Sequence, residues 1–292
     1  MEIDSAEGDG VDGDRQQTLK RSVTVSGIAL HTGDRVSLAL HPAAPDSGLR
    51  FRRVDLDGAP EVRARIENVV DTRRGTTIAD GDARVHTVEH LLAALNASGV
   101  DNARIEMGGA EPPILDGSAA PFLQLIEDAG VAAQDTPRQW LAPPAPLSLQ
   151  LGDTQMIVLP DTEFRITCTV KFGATPLDCQ FISLPITGAS FKQELSAART
   201  FCLYHEIEPL MAANLIAGGS LDNSVVVMGD AILSKEGLRY PDEFVRHKVL
   251  DIVGDLYLLG QRLRAHVVAV KPGHPSNVAL ARLIRKELGQ AA

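Results

Sequence analysis

Two short segments, far apart in the chain, bring together side chains able to bind a divalent ion and activate water. The first is His86-Thr87-Val88-Glu89-His90, which runs straight into Leu91-Leu92-Ala93-Ala94-Leu95. The second is His247-Lys248-Val249-Leu250-Asp251, followed by Gly254-Asp255. Two imidazoles and one carboxylate can hold a zinc ion and leave a coordination position open, and a carboxylate beside a ligand can take a proton from water. His247, Asp251 and Asp255 stand four apart. At about 100° per residue they share one helical stripe, roughly 120° around from the apolar seam Val245, Val249, Ile252, Leu256 and Leu259. For that helix taken alone, a solvated His–Asp pair on an exposed face is an equally good reading.

The first segment also admits a rival. His86-x-x-Glu89-His90 fits the inverted zinc-peptidase pattern, with both histidines as ligands and the glutamate as base. That reading leaves His247 and Asp251 without a role. The split His90, His247 and Asp251, with Glu89 as base, uses both segments. A serine hydrolase is disfavoured, because in Gly218-Gly219-Ser220-Leu221-Asp222 an aspartate stands where a nucleophile elbow needs glycine. No phosphate-binding loop of the Walker type occurs. Asp116-Gly117-Ser118 reads as a turn, and His31 in Leu-His-Thr-Gly as a turn residue.

The elements that must position these groups follow from periodicity. Thr87–Asn96 carries Val88, Leu91, Leu92 and Leu95 on one helical face, and a second helix is expected over Asp242–Leu259. Val36, Leu38 and Leu40 mark a half-buried strand, as do Phe164, Ile166, Cys168, Val170 and Phe172. A short strand, His266–Val270, leads into Lys271-Pro272-Gly273-His274. Strands and helices mix without regular βαβ alternation, which favours an α+β class. The length of 292 residues allows two domains. The Gly-rich, acidic segment 1–17 is expected to be a disordered tail. An N-terminal domain is expected over 18–136, a proline-rich linker with Trp140 over 137–147, and a C-terminal domain over 148–292. No internal repeat is legible in the residues.

Composition narrows the function. A formal net charge of −10 argues against nucleic-acid binding. No apolar run is long enough to span a membrane, and no basic-then-apolar leader opens the chain. The three cysteines, Cys168, Cys179 and Cys202, fit neither a disulfide framework nor a C-x-x-C site, so a cytoplasmic location is expected.

Six motifs in order carry a family resemblance. They are Thr87-Val88-Glu89-His90-Leu91, Asp116-Gly117-Ser118-Ala119-Ala120-Pro121-Phe122, Ala198-Arg199-Thr200-Phe201, Gly218-Gly219-Ser220, Phe244-Val245-Arg246-His247-Lys248-x-x-Asp251-x-x-Gly254-Asp255, and Lys271-x-Gly273-His274. With Gln17-Thr18-Leu19-Lys20-Arg21 and Leu30-His31-Thr32-Gly33, the chain outside the acidic tail resembles UDP-3-O-acyl-N-acetylglucosamine deacetylase, the zinc amidase that catalyses the committed step of lipid A synthesis. The resemblance implies two domains, each a layered α/β sandwich, with the active site at their interface and an acyl-passage insert in the second. It implies His90, His247 and Asp251 as zinc ligands, with iron(II) an ion that the same donors suit. It implies Glu89 as general base, Thr200 as oxyanion partner, and His274 as charge stabiliser or proton donor, with Asp255 orienting it. Lys248 would contact the glucosamine-diphosphate end, Phe172 would stack on uracil, and Phe201 with the region after it would line the acyl passage. His86 takes no ligand role, and is expected at a surface or strand end. Cys202 and Leu203 depart from the Gly-Phe pair commoner after Thr200-Phe201. A monomer is also implied. A non-catalytic UDP-sugar-binding protein with a structural metal is the remaining class.

Overall fold

A computed structural model of the protein describes residues 14–171 and 179–289. The chain is α+β, built on two five-stranded sheets. The first has the spatial order Val23–Ile28, Arg35–Pro42, Ala103–Met107, Leu49–Arg53, Glu61–Arg63. The second has the order Leu147–Leu151, Thr154–Pro160, Ala265–Val270, Phe164–Lys171, Cys179–Pro185. In both, only the third and fourth strands run parallel, and the other neighbours are antiparallel. The last strand of each five-stranded sheet, in chain order, therefore inserts at its centre. One plan is used twice, a repeat that the residues conceal because a topology constrains patterning and not particular side chains.

Each half sends one helix before its central strand and one after it. These are α1 (Glu89–Ala97) and α2 (Ala120–Ala129) in the first half. In the second, α4 (Glu243–Tyr257) precedes Ala265–Val270 and α5 (His274–Glu287) follows it. Each half also carries an insert ahead of its first helix. The first insert is a three-stranded sheet of Val69–Asp71, Thr77–Asp80 and Ala83–Val85. The second consists of Phe201–Leu203, the helix α3 (Tyr204–Ala212), Val225–Met228 and Ala231–Leu233.

The helix expected from Leu91, Leu92 and Leu95 is α1, but it shows no solvent face. All its residues are buried, Glu89, His90 and Asn96 included. A helix closed in on every side lies between layers, and α1 packs directly on α4. The polar stripe His247, Asp251 and Asp255 is buried too, which removes the reading of α4 as a solvated His–Asp face. One continuous apolar cluster runs through both halves, from Leu38 and Ile105 through Leu91 and Val249 to Val267 and Ile284. Ile166, Cys168 and Val170 face inward as the alternation requires, while Phe172 lies outside the described residues.

Residues expected to form the tail and linker take part in pairing. Arg15–Leu19 pairs antiparallel with Val131–Pro137. Trp140–Leu141 pairs in parallel with Arg262–Leu263.

The α1–α4 contact is closest at Gly254, where an added Cβ would fall 2.0 Å from the Glu89 carbonyl oxygen. Backbone cannot yield as a flexible side chain does, so Gly254→Ala must separate the two helices that carry the site. Overpacking of this kind costs about 1–3 kcal/mol, occasionally more. A lowered thermal midpoint, with activity falling further than stability explains, is the expected outcome in paired melting and turnover assays.

Candidate metal centre and active site

His90 sits in the first turn of α1, while His247 and Asp251 lie one turn apart on α4. Helix packing brings one ligand-type atom of each within 4.8 Å of the others. Asp251 Oδ1 lies 3.4 Å from His247 Nε2 and 3.8 Å from His90 Nε2, and the two rings stand edge to face with centroids 5.0 Å apart. The first two separations are too long for hydrogen bonds. Asp251 Oδ1 is buried without a hydrogen-bond partner among the described residues. An orphaned carboxylate oxygen facing two imidazoles is costly unless a cation sits among them.

The remaining contacts fit a metal. The Ala198 carbonyl lies 3.0 Å from His247 Nδ1, and accepting its proton leaves Nε2 free to ligate. Burial, reinforced by His247, pushes His90 down to about 3, so its ring is neutral. Burial also lowers His247. Burial alone would raise Asp251, but His247, Lys248, His274 and His90 outweigh it and hold the carboxyl well below the usual range. Neutral imidazoles and an ionised carboxylate are the forms that bind a divalent ion. The second oxygen, Asp251 Oδ2, accepts a 2.8 Å hydrogen bond from Lys248 Nζ.

A second trio, Glu89, Asp255 and His274, adjoins the first. His274 opens α5 and bonds Asp255 Oδ2 through Nδ1 at 2.9 Å. Its Nε2 lies 3.9 Å from both Glu89 Oε1 and Asp251 Oδ2. Burial disfavours a charged ring, but Asp255, Glu89 and Asp251 together outweigh it and raise His274 to about 9. Glu89 Oε2 accepts from the Thr76 amide at 2.9 Å, whereas Oε1 makes no hydrogen bond among the described residues. Burial is the main cause holding the Glu89 carboxyl above its ordinary range, with the neighbouring carboxylates adding to it and His274 opposing.

Glu89, His90, His247, Asp251 and His274 line a cavity of about 580 Å³ that also takes in Thr200, Phe201, Lys248 and Arg74, with Asp255 buried behind His274. An apolar cavity of about 330 Å³ adjoins it and shares Leu30, Arg74, Thr200 and Phe201 as common wall. Cys202, Ile207, Leu210, Met211 and Val226 of the second insert line this smaller space. The backbone of Thr200 is fixed on both sides, its amide to Gly117 O and its carbonyl to the Val225 amide, while its hydroxyl has no protein partner among the described residues. The Phe201 ring packs on Phe244 at 4.6 Å and lies 5.4 Å from Lys248 Nζ.

The structure thus brings together His90, His247, Asp251, Glu89, His274, Asp255, Thr200, Phe201 and Lys248. It leaves His86 outside, half-buried, with Nδ1 3.0 Å from Thr77 Oγ1. His31 lies in a turn and lines the apolar cavity. Asp116-Gly117-Ser118 is the expected turn, closed by Asp116 Oδ1 accepting from the Ser118 amide and hydroxyl.

Several supporting residues escaped the sequence reading. Thr76 donates its amide to Glu89 and its hydroxyl to Asp255 Oδ1 at 2.5 Å, tying the base to the histidine's partner. Asn277 donates to Asp255 Oδ2, and its i, i+3 spacing from His274 was the available signal. Buried Glu111 accepts from the Thr87 hydroxyl at 2.7 Å. Thr87 adopts φ +51°, a strained region for a β-branched residue. Arg199, the least explained member of its motif, is buried in a bidentate pair with Glu243 at the start of α4. That pair fixes the segment supplying the Ala198 carbonyl and Thr200.

A buried two-histidine, one-aspartate set beside a carboxylate and a cationic histidine defines a metal-dependent hydrolase centre. The comparisons with known proteins agree. Residues 16–286 match the family of UDP-3-O-acyl N-acetylglycosamine deacetylases. A UDP-3-O-acyl-N-acetylglucosamine deacetylase of Geobacter sp. (strain M21) is 45% identical over 93% of this chain and 89% of its own length. Proteins of the same description from Methylococcus capsulatus and Myxococcus xanthus are 44% and 43% identical, covering 90% and 93% of this chain and 87% of each relative. The chain belongs to the UDP-3-O-acyl N-acetylglycosamine deacetylase family.

Proposed function

We propose that the protein hydrolyses the N-acetyl group of UDP-3-O-acyl-N-acetylglucosamine, releasing acetate in lipid A biosynthesis. The observation that carries this reading is the apposition of two trios, His90–His247–Asp251 and Glu89–Asp255–His274, all but the buried Asp255 lining one cavity that shares a wall with an apolar one. Zinc held by the first trio would polarise the amide carbonyl and lower the pKa of the attacking water. Iron(II) suits the same donors, so the ion used in the cell is a separate question.

Each residue then has a task. Glu89 Oε1, without a hydrogen-bond partner among the described residues, takes the proton of the water as its oxygen bonds to the acetyl carbon. The Thr200 hydroxyl donates to the oxygen that gains charge. His274 Nε2 gives its proton to the amine as the C–N bond breaks, and Asp255 keeps that ring charged and oriented. Lys248 steadies Asp251 and lies at the cavity wall, where it would meet the anionic half of the substrate. The 3-O-acyl chain fits the apolar cavity beyond Phe201, whose walls include Cys202. Phe172 as a uracil-stacking residue stays a proposal from resemblance. No observation favours a peptidase using His86.

A catalytic unit shared between domains 18–136 and 148–292, working as a cytoplasmic monomer, completes the proposal. Among the described residues no helix is long and apolar enough to cross a membrane. Acetate release from this substrate tests the assignment, and no release by folded, zinc-loaded protein would contradict it.

The pH dependence follows from the directions of the shifts. Glu89 works deprotonated, so the rate rises as pH passes upward through its raised pKa. His274 works protonated, so the rate falls as pH passes upward through a value about 9 without metal. A bound cation stabilises the carboxylate and opposes the imidazolium, moving both limbs to lower pH. A bell-shaped kcat/KM profile is expected, with the alkaline limb lost in His274→Ala. An unchanged alkaline limb in that variant would contradict the role.

A further inference from the structure

A cavity of about 680 Å³ on another part of the molecule shares no residue with the catalytic cavity. It is separated from the metal centre by the length of α1. Glu89 and His90 open that helix at the catalytic cavity, while Asn96 and Ala97 close it at this one. Nine residues of helix span about 13 Å.

Its centre is a tryptophan ringed by arginines. The guanidinium carbons of Arg264, Arg262 and Arg138 lie 4.1, 5.5 and 5.8 Å from the Trp140 ring centroid. The charges are not equally answered. Arg138 is paired bidentately with Asp101 and also donates to the Gly99 carbonyl. Among the described residues the Arg264 guanidinium has only a loose ion-pair contact, 3.8 Å, with the exposed Asp14. The Arg262 guanidinium makes no hydrogen bond or ion pair among the described residues. Trp140 Nε1 is buried and has no acceptor among the described residues. The one other carboxylate on the cavity wall, Glu163, is largely exposed and lies 3.9 Å from Arg165.

Arg262 is half-buried and Arg264 has one loose carboxylate contact, so two guanidinium groups converge on this cavity without a close ion pair among the described residues, and an oxyanion entering it would gain charge-assisted hydrogen bonds. Burial also pushes Arg262 below the ordinary arginine value. The planar fork of arginine matches an oxyanion with two acceptor atoms. In a chain of net charge −10, such a concentration of cation is a local feature and not a general one.

We propose that this cavity is a second ligand site, built around Arg262 and Arg264 beside the Trp140 ring, for a small phosphate- or pyrophosphate-bearing molecule. The concave shape and volume suit a soluble ligand over a flat membrane surface. Arg262 and Arg264 would grip the oxyanion, while the Arg138–Asp101 pair holds the wall.

Trp140 is the only tryptophan in the chain, so its fluorescence reports this cavity alone. The test titrates the full chain with sodium pyrophosphate at constant ionic strength and, separately, with phosphatidylglycerol vesicles. A saturable fluorescence change with pyrophosphate is expected, its affinity falling at least tenfold in Arg262→Gln and several-fold in Arg264→Gln. If Arg262→Gln fails to fold by circular dichroism, Arg264→Gln, at the more exposed position, decides alone. No saturable change in the wild type, or one equal in the folded variants, would overturn the proposal. A response to vesicles with none to pyrophosphate would overturn it as well.

Discussion

Glu89→Gln is expected to lower kcat by about 10²–10⁴-fold, the usual contribution of a positioned general base, while zinc content and KM stay near wild type. The substitution preserves shape: the Thr76 amide can still donate to the side-chain oxygen that replaces Oε2. What is lost is proton affinity at Oε1, the atom that makes no hydrogen bond among the described residues. The change also removes a negative charge 3.9 Å from His274 Nε2, which lowers the pKa of that ring. A fall in kcat with metal retained locates the defect in the chemical step. Metal analysis beside steady-state kinetics is the check, and a variant retaining turnover would remove Glu89 from the mechanism.

The second large effect is expected from Asp251→Asn. Its Oδ1 is the buried oxygen shared between two imidazole nitrogens, and its Oδ2 holds Lys248. The amide nearly matches the volume but removes the charge that offsets a divalent ion. Outer-shell partners of a metal site typically contribute 10–100-fold in affinity, and loss of a ligand should exceed that, with activity falling in parallel. Lys248 also loses its carboxylate, and His274 loses one of the three that raise its pKa. Metal-to-protein ratio after dialysis, measured with acetate release, separates this outcome from that of Glu89→Gln. Asp251 impaired in metal binding and Glu89 impaired only in turnover is the expected contrast.

Much of this site was legible in the chain because its chemistry depends on residue type at fixed helical spacing. His247, Asp251 and Asp255 fall on one stripe whatever surrounds the helix, and Glu89-His90 is contiguous. Spacing alone could not show that the stripe of α4 faces α1. That follows from Gly254, whose missing Cβ lets the helices touch, and from the burial of α1 on all sides. Thr76 and Glu111 were invisible for a related reason. Each acts through contacts distant in sequence or through a strained backbone, and neither residue type stands out locally. Asn277 and Arg199 did offer signals, one a turn away from His274 and the other inside a motif, but their partners became clear only with the fold. The repeated sheet plan was hidden most completely, since strand order depends on which edges meet. The pairing of Arg15–Leu19 and of Trp140–Leu141 was hidden for the same reason.

The central claim is that metal held by His90, His247 and Asp251 is required for removal of the acetyl group. The most direct measurement strips the purified protein with a chelator, confirms by circular dichroism that it remains folded, and follows acetate release from UDP-3-O-acyl-N-acetylglucosamine as one equivalent of zinc is returned. Activity that disappears on stripping and returns with zinc is the expected result. Undiminished release by the stripped, folded protein, or none after zinc has been bound again, would contradict the claim.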